Sequence, residues 1–485
     1  MWWRDAVVYQ VYPRSFQDSD GDGVGDLPGI IGRLDHLVDL GVDALWLSPI
    51  MPSPMADFGY DVSCFDDVDP VYGSLEDFDR LVAAVHGRGL RLIMDLVPCH
   101  TSIEHPWFDA HPRRYVRRPP APAPPNNWVA SFGGPAWDVD PHEPARGWYL
   151  HSFYPEQPDL DWRNPEVAEA MGDVVRFWLR RGADGYRLDA LDRLLKDPDL
   201  RDDPVASGPP PLPLPGEYAA LDHVHSVNAP DIGRGVAQLR EAAGDAFLVG
   251  EVYLPTAALG PYLEHLDAAF SFELYHAPWE PQVVRAAIET GVARVDRPSR
   301  LAWVLSNHDF PRLPTRVGPG RERLAALLLL SLPGPVFVYQ GDEIGMPDGP
   351  GADPPLDRAG RDAFRHPMQW EPGPGGGFTT GAPWLPLVDP GERNVADQRG
   401  DPGSLLSLYR DVIALRRDLG PGLAFVESGS PDVLAFRRGE DHIVVLNFAD
   451  EPRDAPPHGQ VLLAAHSRPE GRLAPGGGFV ALVTG

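Results

Sequence analysis

The sequence predicts an α/β protein: a (β/α)8 TIM barrel with a small domain inserted after strand three and a C-terminal antiparallel β domain. Three observations carry this. Eight short, almost continuously apolar strand patterns alternate with amphipathic helical patterns to about residue 420, as a parallel sheet with helical crossovers requires. Three connections are too long for simple turns, and all three follow strands, which gathers them on one rim. After about residue 421 the period changes to short alternating strands. The expected domains are therefore 1–100 with 165–420 for the barrel, 101–164 for the insertion and 421–485 for the C-terminal unit.

Taken in order, the strand patterns are AVVYQVY (6–12), DALWLSPI (43–50), LRLIMDLV (90–97), GYRLDA (185–190), FLVGEVY (247–253), AAFSFEL (268–274), LAWVLSN (301–307) and PVFVYQG (335–341). Between them, IIGRLDHLVDLG (30–41), LEDFDRLVAAVHGRG (75–89), VAEAMGDVVRFWLRRG (167–182), GRGVAQLREAAG (233–244), PQVVRAAIET (281–290) and RERLAALLLLSL (321–332) repeat apolar residues at helical spacing, and SLLSLYRDVIALRRDLG (404–420) closes the series. Residues 101–164 follow strand three and carry the proline-rich RRPPAPAPPNNW; residues 191–230 follow strand four and contain SGPPPLPLPG, a polyproline-like flap; residues 341–403 follow strand eight. DVLAFRRG, HIVVLNFAD and FVALVTG build the C-terminal sheet. A doubly wound open sheet would need a Gly-rich phosphate turn after an early strand, and the chain has none.

With 42 basic and 70 acidic residues the formal charge is −28, which argues against nucleic acid or an anionic membrane as partner. No early apolar run reaches transmembrane length, so the expected location is cytoplasmic. Cys64 and Cys99 are the only cysteines, too few for a disulfide framework. A monomer and a homodimer both remain open.

Polar groups collect at the C-terminal ends of the strands: Asp95 and His100 after strand three, Arg187 and Asp189 on strand four, Glu251 on strand five, and Asn307, His308 and Asp309 on strand seven. Side chains alternate along a strand, so Arg187 and Asp189 share a face. Burying charges is costly, which makes such a concentration on one rim a mark of chemistry. Carboxylates from separate strands without a metal cluster suit glycoside cleavage, one attacking the anomeric carbon and the other protonating the leaving oxygen.

The stretches GYRLDA, VGEVY and SNHD, preceded by MDLVPCH, resemble the four ordered signature regions of the α-amylase superfamily, glycoside hydrolase family 13. GVDALWLSPIMPSP, DFGYDV, PEQPDLDWRNPEV, PGPVFVYQGDEIG, GRDAFRHPMQW and FTTGAPWLP resemble its α-glucosidase and oligo-1,6-glucosidase branch. This resemblance implies Asp189 as nucleophile, Glu251 as general acid/base and Asp309 as transition-state stabiliser. Arg187 is implied as the arginine keeping the nucleophile ionised, and His100 and His308 as hydrogen-bond partners of the bound glucose. Asp57 and Tyr60 close the glucose pocket in the same reading. Arg365 resembles a pocket-blocking arginine, and Phe153 and Gln157 resemble inserted-domain groups over the cleaved bond. Cys99 stands where the family commonly has Asn, and Ile103 and Asp161 also depart from the common pattern.

The loop DSDGDGVGD spaces carboxylates at Asp18, Asp20, Asp22 and Asp26 with a backbone carbonyl near Val24, which is calcium-loop spacing. Gly29 stands where an EF-hand needs Glu, and the loop instead resembles the structural Ca2+ loop of the α-glucosidase branch, with Mg2+ an alternative occupant. No organic cofactor is expected. A small residue such as Ala190 after the nucleophile goes with α-1,4 preference in this branch. The implied activity is a retaining α-glucosidase acting on maltose-type oligosaccharides, with transglucosylation. An oligo-1,6-glucosidase, a trehalose synthase or a sucrose-cleaving glucosyltransferase are the alternatives, and a non-catalytic barrel scaffold is the remote one.

Overall fold

The computed structural model describes residues 1–466 and 471–483. The last two residues of FVALVTG, and residues 467–470 of the expected C-terminal domain, lie outside the described residues. Eight strands close a barrel: β1 (Val7–Val11), β2 (Ala44–Leu47), β3 (Arg91–Leu96), β4 (Gly185–Leu188), β5 (Phe247–Gly250), β6 (Ala268–Phe270), β7 (Leu301–Val304) and β8 (Val336–Tyr339). Each pairs in parallel with its sequence neighbours, and β1 closes the ring against β8. The (β/α)8 prediction holds.

Helices cover the outside: α1 (Leu27–Leu40), α2 (Leu75–Gly87), α3 (Pro165–Arg180), α4 (Gly233–Ala243), α5 (Pro281–Arg294), α6 (Glu322–Ser331) and α7 (Leu405–Arg416). Their ends follow from local chemistry. The Asp26 side chain caps α1 by accepting from Gly29 N, and Gly41 ends it at φ 87, a left-handed turn that glycine makes without strain. Ser74 and Asp77 form a reciprocal capping box on α2.

Strand alternation sorts the core. Val8, Trp46, Ile93, Val249, Phe270 and Phe337 point inward and fill the barrel. Tyr9, Leu45, Leu92, Met94 and Tyr186 point outward beneath the helices. One expected strand is shorter than its pattern. AAFSFEL stops after Phe270 because Phe272–His276 turns helical, burying Phe272 and Tyr275 three residues apart on one face.

Within the long connection after β3, Arg117–Arg118, Trp148–Leu150 and Trp137–Val139 form a three-stranded antiparallel sheet over a small cluster that includes Trp128 and Leu200. At the C-terminal end, β9 (Leu423–Phe425), β10 (Val433–Arg438), β11 (His442–Asn447), β12 (Val461–Ala464) and β13 (Gly478–Leu482) form one antiparallel sheet in the order β9-β10-β11-β13-β12. Among the described residues, no helix is long and apolar enough to cross a membrane.

Candidate active site

A cavity of about 220 Å3 opens at the C-terminal rim, lined at its polar end by Asp57, Tyr60, His100, Asp189, Glu251 and Asp309. Backbone bonds fix the strand ends that carry them: Asp189 N donates to Leu96 O at 2.9 Å and Glu251 N to Leu188 O at 2.8 Å. Ala190 then takes a left-handed conformation, φ 46, and its N–H donates to Glu251 Oε2 at 2.8 Å. The Cys99 thiol sits under this turn, against the Ala190 carbonyl, so the thiol packs where the family commonly has Asn.

Arg187 is the hub. Its Nη1 donates to Asp95 Oδ1 at 2.9 Å and to Asp189 Oδ1 at 2.5 Å, and its Nη2 lies 3.2 Å from Glu251 Oε2. The guanidinium also lies over Trp46, 5.1 Å from the ring, at the top of the barrel core. One buried cation therefore serves three carboxyl groups. This changes the expected electrostatics: burial pushes Asp189 well above the usual carboxylate range, and Arg187 opposes that without reversing it, because Glu251, Asp95 and Asp309 all add negative charge. Glu251 is raised by burial, with Arg187 opposing and Asp309 adding. Asp95 is pushed up to about 6 by burial, against Arg187 and hydrogen bonds from Tyr60 and Trp46.

Asp309 goes the other way. Burial raises it, but His308 when protonated, and at neutral pH the Arg361, Arg365 and Arg187 cations, offset this and hold it below the ordinary carboxylate range. The His308 ring is pushed down to about 3, chiefly by burial, and is neutral. Its Nδ1 lies 2.8 Å from Gln10 Nε2 and its Nε2 lies 2.8 Å from Tyr60 Oη, which donates to Asp95 Oδ2 at 3.0 Å. His308 thus stands behind the wall formed by Tyr60 and Asp309. His100 lies in the lining, with its Nδ1 buried and unpartnered among the described residues.

The inserted segment supplies Phe153 to the lining, while Gln157 is fully buried behind it, its Nε2 donating to Asp57 Oδ2 at 2.9 Å and lying 3.0 Å from His100 Nε2. Arg365 differs from its expected position. It is completely buried, donates to the His308 carbonyl at 2.9 Å and reaches Asp309 from behind at 3.3 Å. Arg361, one helical turn earlier, is the arginine in the lining: it joins Asp309 at 3.1 Å, Asp57, and Asp357 through two bonds of 2.8 Å. The sequence signal for Arg361 is Asp357 four residues before it, within one turn of the same segment.

Sequence reasoning also missed Phe132, Tyr253 and Phe310 in the lining, and the buried Lys196 that joins Asp159 to the loop after β4. Lys196 is the only lysine in the sequence. Its ammonium is buried between Ser152 Oγ at 3.0 Å, Asp159 Oδ2 at 2.9 Å and the Arg193 carbonyl, tying the inserted segment to the loop after β4.

In the loop after β1, carboxylate oxygens of Asp18, Asp20 and Asp22 lie within 4.8 Å of one another. A set of hard oxygen donors so close together fits a Ca2+ or Mg2+ ion. Burial raises Asp18, but the Thr379 hydroxyl and the amides of Gly21, Gly23 and Asp20 more than offset it and hold it low. Asp26 stands apart from this cluster, its two oxygens taken by Ser19 and by Gly29 N at the start of α1. Nothing in the structure distinguishes the Val24 carbonyl as a ligand.

A parallel eight-stranded barrel with acids gathered around a cavity at its C-terminal rim is the frame of a barrel enzyme, and comparison with known proteins makes the class specific. Residues 10–420 match the alpha-amylase catalytic domain, and residues 421–480 match a domain of unknown function, DUF3459. The chain belongs to the alpha-amylase family of glycoside hydrolases. It is 41% identical to a "Probable alpha-glucosidase" of Rhizobium meliloti, over 93% of this chain and 90% of that one. An oligo-1,6-glucosidase of Parageobacillus thermoglucosidasius is 34% identical over 93% of this chain and 91% of its own length. Among solved structures, the alpha-glucosyl transfer enzyme XgtA superposes with a TM-score of 0.93 at 37% identity, covering 100% of this chain and 99% of that one. A mutant of the trehalulose synthase MutB in complex with sucrose superposes at 0.88 with 31% identity, covering 100% and 99%.

Proposed function

We propose that the protein is a retaining α-glucosidase that removes terminal α-1,4-linked glucose from short, maltose-type oligosaccharides by double displacement, with glucosyl transfer as a second outcome. The observation that carries this is the sharing of one guanidinium by Asp189 and Glu251 at the polar end of a single cavity.

Asp189 attacks the anomeric carbon while the glycosidic bond breaks, and Glu251 gives its proton to the leaving oxygen. Two buried acids that share one guanidinium titrate as a pair. The shorter contact, 2.5 Å to Asp189 against 3.2 Å to Glu251, favours the anion on Asp189 and the proton on Glu251. Ala190 N–H and Arg187 occupy Glu251 Oε2, so the proton rides on Oε1. Glu251, now ionised, takes a proton from water or an alcohol, whose oxygen attacks the same carbon as the bond to Asp189 breaks. Asp309, held ionised beside Arg361 and Arg365, binds sugar hydroxyls and balances positive charge on the ring, and the free Nδ1 of His100 is the atom available to a further hydroxyl. Asp18, Asp20 and Asp22 hold a structural Ca2+, or Mg2+, away from the chemistry.

The deciding experiment is a set of initial rates on maltose, isomaltose, trehalose and sucrose with product analysis. Maltose fastest, with α-glucose released first, is the expected result. Isomaltose fastest favours the oligo-1,6 reading supported by the name of one relative, dominant sucrose isomerisation favours the synthase reading, and no turnover of any of the four overturns the proposal.

A further inference from the structure

Gln10 is a buried amide near the end of β1, on the inward face it shares with Val8. It does not line the cavity. Its Nε2 meets two partners, Ser48 Oγ at 3.2 Å and His308 Nδ1 at 2.8 Å. Its carbonyl oxygen Oε1 is buried without a partner among the described residues.

The His308 ring is clamped in place. It lies between the rings of Tyr12 and Tyr60, with centroids 5.6 and 5.4 Å away and interplanar angles of 21° and 8°. Trp46 closes a third side edge-on, at 6.1 Å and 75°. With the ring so held, the placement of its proton is the one freedom left to a neutral imidazole.

Three partners agree on that placement. Tyr60 donates to Asp95 Oδ2 at 3.0 Å, so its oxygen is the acceptor for His308 Nε2 at 2.8 Å. Asp309 Oδ2 lies 3.3 Å from the same Nε2, and Arg361 and Arg365 hold that carboxylate ionised. Nδ1 is then a bare acceptor, as the Gln10 amide requires. Reversed, the amide would bury both its N–H groups without an acceptor, a larger loss than one unpartnered carbonyl oxygen. The donors therefore run one way, from Gln10 to His308 to Tyr60 to Asp95, whose other oxygen takes Arg187. Burial, with the Arg365, Arg187 and Arg361 cations adding and Asp309 opposing, also disfavours a charge on this ring.

We propose that Gln10 is a positioning residue for the reaction: by donating to Nδ1 it fixes the His308 proton on Nε2 and keeps a second proton off the ring. The consequence falls on Asp309 and rests on the glucosidase reading above. A neutral ring gives Asp309 a donor without cancelling its charge, which stays free to balance the positive charge developing on the sugar. An imidazolium 3.3 Å from Asp309 would oppose that charge.

The test pairs a spectrum with kinetics. In protein labelled with 15N-histidine, the His308 resonances are identified by their loss in His308→Gln. They should show a protonated Nε2 and a bare Nδ1 across the pH range in which the protein is folded. Gln10→Met keeps the length of the side chain and removes the donor, and should lower kcat/KM on an aryl α-glucoside by about three- to tenfold. Gln10→Glu keeps the shape and replaces the donor with an acceptor. It should place a proton on Nδ1 and lower kcat/KM further than Gln10→Met does, most steeply at acid pH. A protonated Nδ1 in the wild-type ring overturns the proposal. So does wild-type kcat/KM in both folded variants, which is what a merely space-filling side chain would give. Absence of turnover by the wild-type protein overturns the glucosidase reading instead, and the spectrum still decides the tautomer.

Discussion

Arg187→Lys tests the charge arrangement most directly. The guanidinium reaches three carboxyl groups through two nitrogens, Asp95 at 2.9 Å, Asp189 at 2.5 Å and Glu251 at 3.2 Å. Lysine has one nitrogen on a flexible stem and cannot reproduce that fork. Breaking a hydrogen bond to a charged group costs about 1.5–3 kcal/mol, and removing one preorganised donor from a reacting centre costs about 100- to 1000-fold in kcat. The expected fall in kcat/KM on an aryl α-glucoside is therefore at least about 100-fold, with circular dichroism unchanged. The pH profile supplies the second readout. As the proposed nucleophile, Asp189 would attack only when ionised, so the rate is expected to fall as pH drops through its pKa. Burial raises that pKa and Arg187 is the main group opposing the rise, so weakening the cation moves the acidic limb to higher pH. A folded Arg187→Lys enzyme with wild-type kcat/KM and an unmoved acidic limb would refute the reasoning.

Other perturbations give equally direct readouts. Glu251→Gln removes the proposed proton donor, so turnover of maltose should fall by orders of magnitude more than that of aryl glucosides whose leaving groups need no proton; equal losses on both would count against the acid role. Burial, opposed by Arg312, pushes Asp342 up to about 7, so the folded protein binds this proton more tightly than the unfolded chain does. The stability it contributes is full below the unfolded value of about 3.9 and lost as pH rises through about 7. Asp342→Asn should accordingly raise the thermal midpoint at pH 8.5, by up to about 4 kcal/mol of stability, with no such gain at pH 4; a gain independent of pH would contradict this. Chelation should lower the thermal midpoint and Ca2+ restore it, by about 2.7 kcal/mol at a hundredfold excess over Kd, whereas Asp20→Asn with Asp22→Asn should melt identically with and without chelator.

Much of the barrel and most of the polar end of the site are legible in the primary structure because they follow from strand periodicity. Residues 187 and 189 must share a face, and the parallel register then sets Asp95 opposite Arg187. What is not legible depends on irregular backbone. Arg361 and Arg365 lie one helical turn apart in the same connection, and only the path of that segment brings Arg361 to the lining and buries Arg365 behind Asp309. Asp26 carries the spacing of a ligand, yet it also precedes a helix, and the structure uses it as the α1 cap. The direction of the Asp189 shift escapes a local reading for another reason: the adjacent arginine does lower this carboxyl, but burial, with Glu251, Asp95 and Asp309 beside it, outweighs the single cation.

The lone lysine has a consequence at the surface. With its ammonium sealed between Ser152 and Asp159, every other long cationic side chain of the protein is an arginine. Reducing sugars condense with unprotonated amines far more readily than with guanidinium groups, whose pKa exceeds about 12. The surface thus presents no lysine amine to glycation by aldoses or to lysine-directed aldehyde reagents.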